Sequence, residues 1–228
     1  MNGDSHGLLI TVIIEFAMLS YLLGAIPNGF LIAKAKGIDI RKVGSGNIGA
    51  TNVYRSVSKS LGLLTFALDA LKGAIPALLF PIWVARCVPA SALPFWAPLL
   101  FGGLAIAGHT WPVYLKFKGG KGVATSAGAL IGIAPAAMGI GVLCWLIALV
   151  TTRFMSVASV VAAVTVPAVG WWRYREQGLA LPIALTALGA LIIWRHKGNI
   201  QRLMNGTESR FEFKKKSESR SQNPGDRD

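Results

Sequence analysis

Long apolar runs constrain this chain more than any other feature of its sequence. A bilayer core about 30 Å thick is crossed by roughly 20 helical residues. Several of the apolar runs reach or approach that length, and they lie at 8–33, 61–85, 95–116, 123–150, 154–172 and 180–195. Since hydrophobic residues make up 53% of the chain and charged residues only 14%, we expect an all-α integral membrane protein.

The basic residues are distributed unevenly between the polar segments. Of the 23 Lys and Arg residues, nine lie in 195–228, six in 34–59 and three in 116–121. Cytoplasmic loops of membrane proteins carry such an excess of basic residues. We therefore attribute the net charge of +13 to membrane orientation and expect no nucleic-acid partner.

The same asymmetry predicts the number of membrane crossings. With the N-terminus outside, six single crossings would place 195–228 on the opposite face from the other two basic segments. A helix break near Pro135, inside the 28-residue run 123–150, adds one crossing because proline interrupts a helix. One long, tilted and kinked helix is the alternative. We expect seven transmembrane helices in a single domain over 1–208, followed by a polar, basic and disordered cytoplasmic tail over 209–228.

Three glycine-rich polar segments flank these runs. Motif one is GSGNIGATNVYR (44–55), motif two is FKGGKGVAT (117–125), and motif three is RHKGNIQRLMNGTE (195–208). Glycine lets backbone N–H groups approach a ligand, and nearby Lys and Arg favour an anionic one. Motif two also precedes a helix, whose first amides can bind an anion. The three cytoplasmic loops therefore predict a phosphate-binding site.

The sequence lacks the motifs that mark several other functional classes. Motif one contains a GxGxxG pattern, but Asp69 lies in an apolar helix and no βαβ unit surrounds it, which excludes a dinucleotide fold. We expect Asp69 and Lys72 to form a buried pair instead. No HEXXH, HX4D or GxSxG sequence is present, so we expect neither a metal nor a cofactor. A transporter of an organic phosphate remains the alternative, although transporter sites normally lie at the bilayer midplane.

The three motifs, in this order, resemble the PlsY family of bacterial membrane-integral glycerol-3-phosphate acyltransferases. The resemblance covers about residues 16–208. It implies an inner-membrane enzyme with its active site facing the cytoplasm. That enzyme would transfer an acyl group from acyl phosphate to the sn-1 hydroxyl of glycerol 3-phosphate, producing lysophosphatidic acid and phosphate for phospholipid synthesis. Its partners would be both substrates and membrane lipid.

The resemblance also implies roles for individual residues. The catalytic candidates are Ser45, Arg55, Lys121, His196 and Asn199. The substrate-binding candidates are Asn47, Thr51, Asn52, Gly119, Gly120, Gly122 and one serine of the RFMSVAS segment, for which we favour Ser159 over Ser156. Either His196 or a substrate phosphate removes the proton from the hydroxyl, and we favour the phosphate because acyl phosphate is already activated.

Overall fold

The structure, a computed structural model, describes residues 3–88 and 93–212. Within these ranges the regular elements are all helical, which confirms the expected all-α class for this part of the chain. The α-helices are α1 (Gly3–Ala25), α2 (Asn28–Lys34), α3 (Ala50–Ser56), α4 (Lys59–Cys87), α5 (Ala97–Thr110), α6 (Val123–Ile133), α7 (Pro135–Thr152), α8 (Met155–Tyr174), α9 (Ala180–Arg195) and α10 (Lys197–Met204). Single 3₁₀ turns occur at Ile40–Lys42, Val113–Leu115 and Arg175–Gln177.

Within the described ranges, four helical segments are long and apolar enough to cross a membrane. They are His6–Lys34, Lys59–Cys87, Pro135–Thr152 and Met155–Gln177. Two shorter apolar helices, Val123–Ile133 and Ala180–Arg195, accompany them. Large apolar side chains such as Leu63, Leu143 and Ile147 are exposed on the outer faces of the bundle, where lipid would cover them. The count of seven crossings stays a prediction.

The apolar run 123–150 contains a helix break next to Pro135, as the sequence predicts. Helix α6 ends at Ile133, Ala134 donates its N–H to Leu130 O at 2.9 Å, and α7 begins with Pro135. Proline is tolerated at the first position of a helix, where its missing N–H has no intrahelical acceptor. The break lies at Ala134, which precedes the proline and leaves the helical region with φ −147° and ψ 66°. Pro135 favours this break but does not by itself enforce it, since Pro76 and Pro81 lie inside the continuous helix α4.

Helix α6 joins two groups of packed helices. Phe80, Phe101 and their neighbours form one apolar core between α1, α4 and α5, and Val166 and Leu185 belong to a second core between α6, α7, α8 and α9. Gly128 lets α6 approach α4 closely, since a Cβ on this residue would lie 1.9 Å from Ala70 O. Small residues at helix contacts are the usual means of close packing in membranes.

The predicted Asp69–Lys72 pair is confirmed and belongs to a buried polar cluster. The Lys72 Nζ lies 3.0 Å from Asp69 Oδ1, and both side chains are almost fully buried. Asn28 donates to the same carboxylate at 3.0 Å, and Lys72 donates to Ile26 O at 2.6 Å. His109 Nδ1 lies 3.7 Å from Asp69 Oδ1. The cluster connects α2, α4 and α5 beneath the polar motifs, and its hydrogen bonds offset the cost of burying charge.

The polar motifs lie at one end of the helix bundle. Motif one connects α2 to α4, motif two connects α5 to α6, and motif three follows α9. The chain beyond α10 returns to this end, where Phe211 N donates to Arg153 O at 2.6 Å and the Phe211 ring lies 5.2 Å from that of Tyr54. The domain boundary at 208 stays a prediction, and residues 213–228 of the expected tail lie outside the described residues.

This arrangement predicts which residues are accessible from each side of the membrane. In a cysteine-free background, single cysteines replacing the exposed residues Lys42, Lys118 and Gln201 should resist an impermeant thiol reagent in intact cells. A cysteine replacing Glu176, at the opposite end of α8, should react and serves as the control. Labelling of any of the first three without membrane disruption would contradict the cytoplasmic orientation.

Candidate active site

Motif one is shaped by the side chain of Asn52. Its amide Nδ2 donates to the backbone oxygens of Ile40, Val43 and Asn47 at 3.2, 3.0 and 2.9 Å, and its Oδ1 accepts from Ser45 N at 3.0 Å. Ser56 Oγ, on the next turn of α3, donates to the same Oδ1 at 3.3 Å. A buried amide with this many partners holds a loop in one conformation. The proposed contact between Asn52 and substrate would require breaking some of these bonds.

The other predicted residues of motif one are more accessible. Ser45 is exposed, Thr51 is half-buried, and Asn47 Oδ1 accepts from Gly49 N at 2.8 Å. Among the described residues, no hydrogen bond joins these three to motif two or motif three. Arg55, in the last turn of α3, reaches the residue directly after motif three by donating to Ser209 O at 3.0 Å.

Motif two is packed tightly against the end of α5. Gly120 N donates to His109 O at 3.1 Å, and a Cβ on Gly120 would lie 2.0 Å from His109 Nε2. Gly119 is equally confined, since its Cβ would lie 2.2 Å from His109 O. Gly122 adopts a φ of 85° and precedes α6, a conformation that glycine adopts without strain. The glycines are thus required by packing and by backbone conformation.

Lys121 connects motif two to motif three. Its Nζ donates to Asn199 Oδ1. Burial, together with the positive charges of Arg202, Arg195 and Arg55, lowers the pKa of Lys121 to about 8 against the opposing effect of Glu208. Lys121 is therefore still largely protonated at neutral pH. With four cations around one carboxylate, the site has a net positive charge that suits anionic ligands.

Glu208 is the carboxylate at the centre of this group. Its Oε1 accepts from Asn199 Nδ2 at 2.7 Å and from Ser156 Oγ at 2.8 Å, and its Oε2 accepts from Arg202 Nε at 2.8 Å. The side chain is only 5% exposed. Burial alone would raise the pKa of Glu208, but these three hydrogen bonds outweigh it and leave the pKa below its usual value. Glu208 therefore remains ionised.

The predictions from sequence omitted Glu208. It lies twelve residues after His196, beyond the range over which helical spacing indicates that two side chains meet. The available signal was its position at the end of motif three, as an acidic residue in a strongly basic part of the chain. Several cations lie close together in this site, and a buried carboxylate among them reduces their mutual repulsion.

His196 occupies the junction between α9 and α10 and is almost fully buried. Its Nδ1 lies 2.8 Å from Ile192 O. Because a carbonyl can only accept, Nδ1 carries the proton and Nε2 keeps a lone pair. Burial lowers the pKa of His196 to about 4, and the charge of Lys121 contributes in the same direction. His196 is therefore neutral at physiological pH and a weak base.

The two candidate serines near the start of α8 occupy different surroundings. Ser159 Oγ donates to Met155 O in its own helix at 2.8 Å, and the residue lines an apolar cavity. Ser156 instead donates to Glu208 and belongs to the charged cluster. The structure thus brings both serines to the site, one at its apolar part and one at its polar part.

The apolar cavity has a volume of about 180 Å³ and lies between α6, α7, α8 and α9. Val123, which directly follows Gly122, lines it, as does Ile192, one turn before His196. Farther along, Trp145 and Val166 form its walls. A hydrophobic space therefore lies beside motifs two and three.

Comparison with known proteins identifies the family. A family model described as glycerol-3-phosphate acyltransferase matches residues 14–206. The chain belongs to the glycerol-3-phosphate acyltransferase family. It is 44% identical over 201 residues to the glycerol-3-phosphate acyltransferase of Desulforudis audaxviator, covering 86% of this chain and 94% of that protein. It is 42% identical over 197 residues to that of Rubrobacter xylanophilus, covering 85% of this chain and 92% of the relative.

Solved structures that resemble this chain belong to the same acyltransferase family. A crystal structure of PlsY (YgiH), an integral membrane glycerol 3-phosphate acyltransferase, in its glycerol 3-phosphate form matches with a TM-score of 0.78 and 39% identity over 88% of this chain and 96% of that one. The lysophosphatidic acid form matches with a TM-score of 0.75 and 38% identity over 88% and 95% of the two chains. The predicted family and the acyltransferase class are confirmed, and this enzyme class displaces the transporter alternative.

The buried hydrogen bonds of Glu208 predict a specific loss of stability. Glu208→Gln places an amide N–H₂ group against a donor, either Arg202 Nε or the pair Asn199 and Ser156. We expect the free energy of unfolding to fall by about 2 kcal/mol, the scale of a lost charged hydrogen bond. Chemical unfolding in detergent measures this change. The exposed Glu212→Gln is the matched control, and equal stability of the two variants would contradict the role assigned to Glu208.

The lowered pKa of Lys121 predicts a pH-dependent affinity for glycerol 3-phosphate. As pH rises through about 8, Lys121 loses its proton and its attraction for the phosphate. The affinity should then fall by about tenfold per pH unit above the pKa. Titration calorimetry on purified protein measures it without turnover. An arginine stays charged throughout this range, so Lys121→Arg should not show this fall. An affinity of the unmodified protein that stays constant well above this pKa would exclude Lys121 from phosphate binding.

Proposed function

We propose that this acyltransferase moves an acyl group from acyl phosphate to the sn-1 hydroxyl of glycerol 3-phosphate, releasing lysophosphatidic acid and inorganic phosphate. The observation that carries the proposal is a site with two unlike parts. Lys121 and three arginines create a positive charge, and the apolar cavity begins beside them. An acyl phosphate has these two parts, an anionic head and a hydrocarbon chain.

The polar part of the site suits two phosphate groups. Arg55 presents a guanidinium that can bind phosphate with two parallel hydrogen bonds, and Lys121 supplies a buried ammonium group. The backbone amides of Gly119 and Gly122 and the side chains of Ser45, Asn47 and Thr51 complete the proposed binding set. Gly120 and Asn52 support it by shaping the loops, since the Gly120 amide is bonded to His109 O and the Asn52 side chain to the backbone of motif one. Asn199 contacts Lys121 directly and thereby positions its ammonium group.

The apolar cavity is the proposed place for the acyl chain. Ser159 lies on its wall one turn beyond Ser156, which contacts the charged cluster. The acyl carbonyl would therefore lie near this boundary, between the hydrocarbon chain and the phosphate. This placement puts the reacting carbon within the group of polar residues and the chain among apolar ones.

The reaction needs no covalent enzyme intermediate. The hydroxyl oxygen of glycerol 3-phosphate attacks the acyl carbonyl carbon, the bond between that carbon and the phosphate oxygen breaks, and phosphate leaves with both electrons. Lys121 and Arg55 stabilise the charge on the leaving phosphate. The hydroxyl proton passes to a phosphate oxygen, because a phosphate with a pKa of about 6 is a stronger base than His196, whose pKa is about 4. His196 then orients substrate.

The proposed location is the bacterial inner membrane, with motifs one to three in the cytoplasm. The excess of basic residues in these segments supports this orientation. Glycerol 3-phosphate is water-soluble and would enter from that side, whereas the lysophosphatidic acid product carries a hydrocarbon chain and would leave into the membrane. A site at the end of the bundle serves both routes.

An assay with three acyl donors tests the proposal. Purified protein is incubated with labelled glycerol 3-phosphate and palmitoyl phosphate, palmitoyl-CoA or palmitoyl-acyl carrier protein, and the product is separated by chromatography. We expect lysophosphatidic acid from palmitoyl phosphate, with Lys121→Met as the impaired control. Product formed only from the thioester donors would overturn the proposed donor.

The role of His196 is tested by its replacement with asparagine. Asn retains hydrogen-bonding capacity and cannot act as a base. If a substrate phosphate accepts the proton, His196→Asn should keep substantial turnover and mainly change the apparent affinity for substrate. An obligatory base would instead cost roughly 10²–10⁴ in turnover. A folded His196→Asn variant that binds both substrates without turnover would restore His196 as the base.

A further inference from the structure

Arg195 donates hydrogen bonds to the backbone of motif two, and the proposed reaction gives these bonds no role. It is the last residue of α9, and its guanidinium NH₂ group donates to Gly119 O and to Gly120 O, both at 2.9 Å. No carboxylate among the described residues pairs with Arg195, and its Nε is buried without a partner there. The two carbonyls of motif two are therefore the acceptors that fix this side chain.

The two contacts determine the direction of the neighbouring amides. A trans peptide unit is planar, and its C=O and N–H point in opposite directions. Gly119 O points to Arg195, and the amide of that same unit, Gly120 N–H, donates to His109 O at 3.1 Å. In the next unit Gly120 O points to Arg195, so the Lys121 N–H points away from it.

The Lys121 N–H has no acceptor among the described residues, and neither do the first amides of α6, since the first hydrogen bond of that helix runs from Ser126 N to Gly122 O. A row of free N–H groups thus begins at Lys121. The direction of the first of them, Lys121 N–H, depends on which way the Gly120 carbonyl of the same peptide unit is turned. Arg195 and His109 hold this backbone from two sides.

We propose that Arg195 is a positioning residue that holds the Gly119 and Gly120 carbonyls away from the substrate phosphate and so presents the Lys121 N–H of motif two to it. This inference rests on the proposed phosphate-binding role of motif two. Without Arg195, His109 O still holds the Gly120 amide, but the Gly120 carbonyl loses its donor, and glycine lets that peptide unit turn its oxygen toward the phosphate. This positioning role depends on the hydrogen bonds of Arg195 to the loop, and is separate from its share of the positive charge of the site.

Variants of Arg195 separate these two effects. Arg195→Met removes both hydrogen bonds and the charge, whereas Arg195→Lys keeps the charge but replaces the planar NH₂ group with a tetrahedral ammonium on a flexible stem. Lys197→Met is the matched control, because Lys197 is exposed, contacts the same Trp194 ring and carries the same charge. Affinity for glycerol 3-phosphate is measured by calorimetry, alongside the thermal unfolding temperature, KM and kcat.

We expect Arg195→Met to weaken glycerol 3-phosphate binding by about tenfold or more, the effect of losing a charge-assisted hydrogen bond. Arg195→Lys should be intermediate. KM should rise with kcat largely kept, at an unchanged unfolding temperature, and Lys197→Met should behave as the unmodified protein. The proposal would be overturned if Arg195→Met bound glycerol 3-phosphate as tightly as Lys197→Met does, or if Arg195→Lys bound it as tightly as the unmodified protein. If Arg195→Met does not fold, the affinity of Arg195→Lys for glycerol 3-phosphate tests the proposal alone.

A further variant distinguishes this inference from the proposed function. Lys121→Met removes the ammonium group of motif two itself. If Lys121→Met binds glycerol 3-phosphate as the unmodified protein does, the phosphate-binding role of motif two fails, and the inference about Arg195 fails with it. If Lys121→Met loses binding while Arg195→Met retains it, only the positioning role of Arg195 fails.

Discussion

The site must compensate the mutual repulsion among its cations, and the rest of its structure depends on how this is done. Lys121 lies within electrostatic reach of three arginines, and like charges near a membrane interior destabilise one another strongly because water screens them poorly. The negative charge of the buried Glu208 carboxylate counters this repulsion. Hydrogen bonds from Asn199, Ser156 and Arg202 keep that carboxylate ionised and in place. The net charge that remains is positive, which is what the proposed binding of phosphate requires.

Motif three organises the site because it contacts both motif two and the start of α8. Asn199 holds the Lys121 ammonium, Arg195 holds the motif two carbonyls, and Glu208 holds Ser156 of α8. The chain just beyond it reaches motif one through the contact of Arg55 with Ser209 O. Loops from distant parts of the sequence thus keep a fixed geometry through hydrogen bonds, and the helix bundle below supplies their attachment points. Preorganised groups of this kind stabilise developing charge without rearranging during the reaction.

Much of this could be predicted from the sequence because it follows from local chemistry. Apolar runs of membrane-spanning length indicate helices, and Pro135 suits the first position of a new helix because it lacks an N–H. The glycines of motif two indicated close backbone approach, which the packing of Gly120 on His109 shows. Basic residues beside glycines indicated an anionic ligand, and family resemblance added the reaction class, which the comparisons confirm.

The contacts between motifs could not be predicted in the same way, since they join residues far apart in the chain. Ser156 and Glu208 are separated by 52 positions, and no periodic pattern relates them. Asn52, expected at the substrate, has its amide bonded within its own loop, a fact that depends on the path of the backbone. The sequence by itself determined the helices, the charge and the glycine positions, because these are properties of neighbouring residues. Only the tertiary structure decided which carboxylate balances the cations and which arginine holds the loop, because both depend on how separate helices pack.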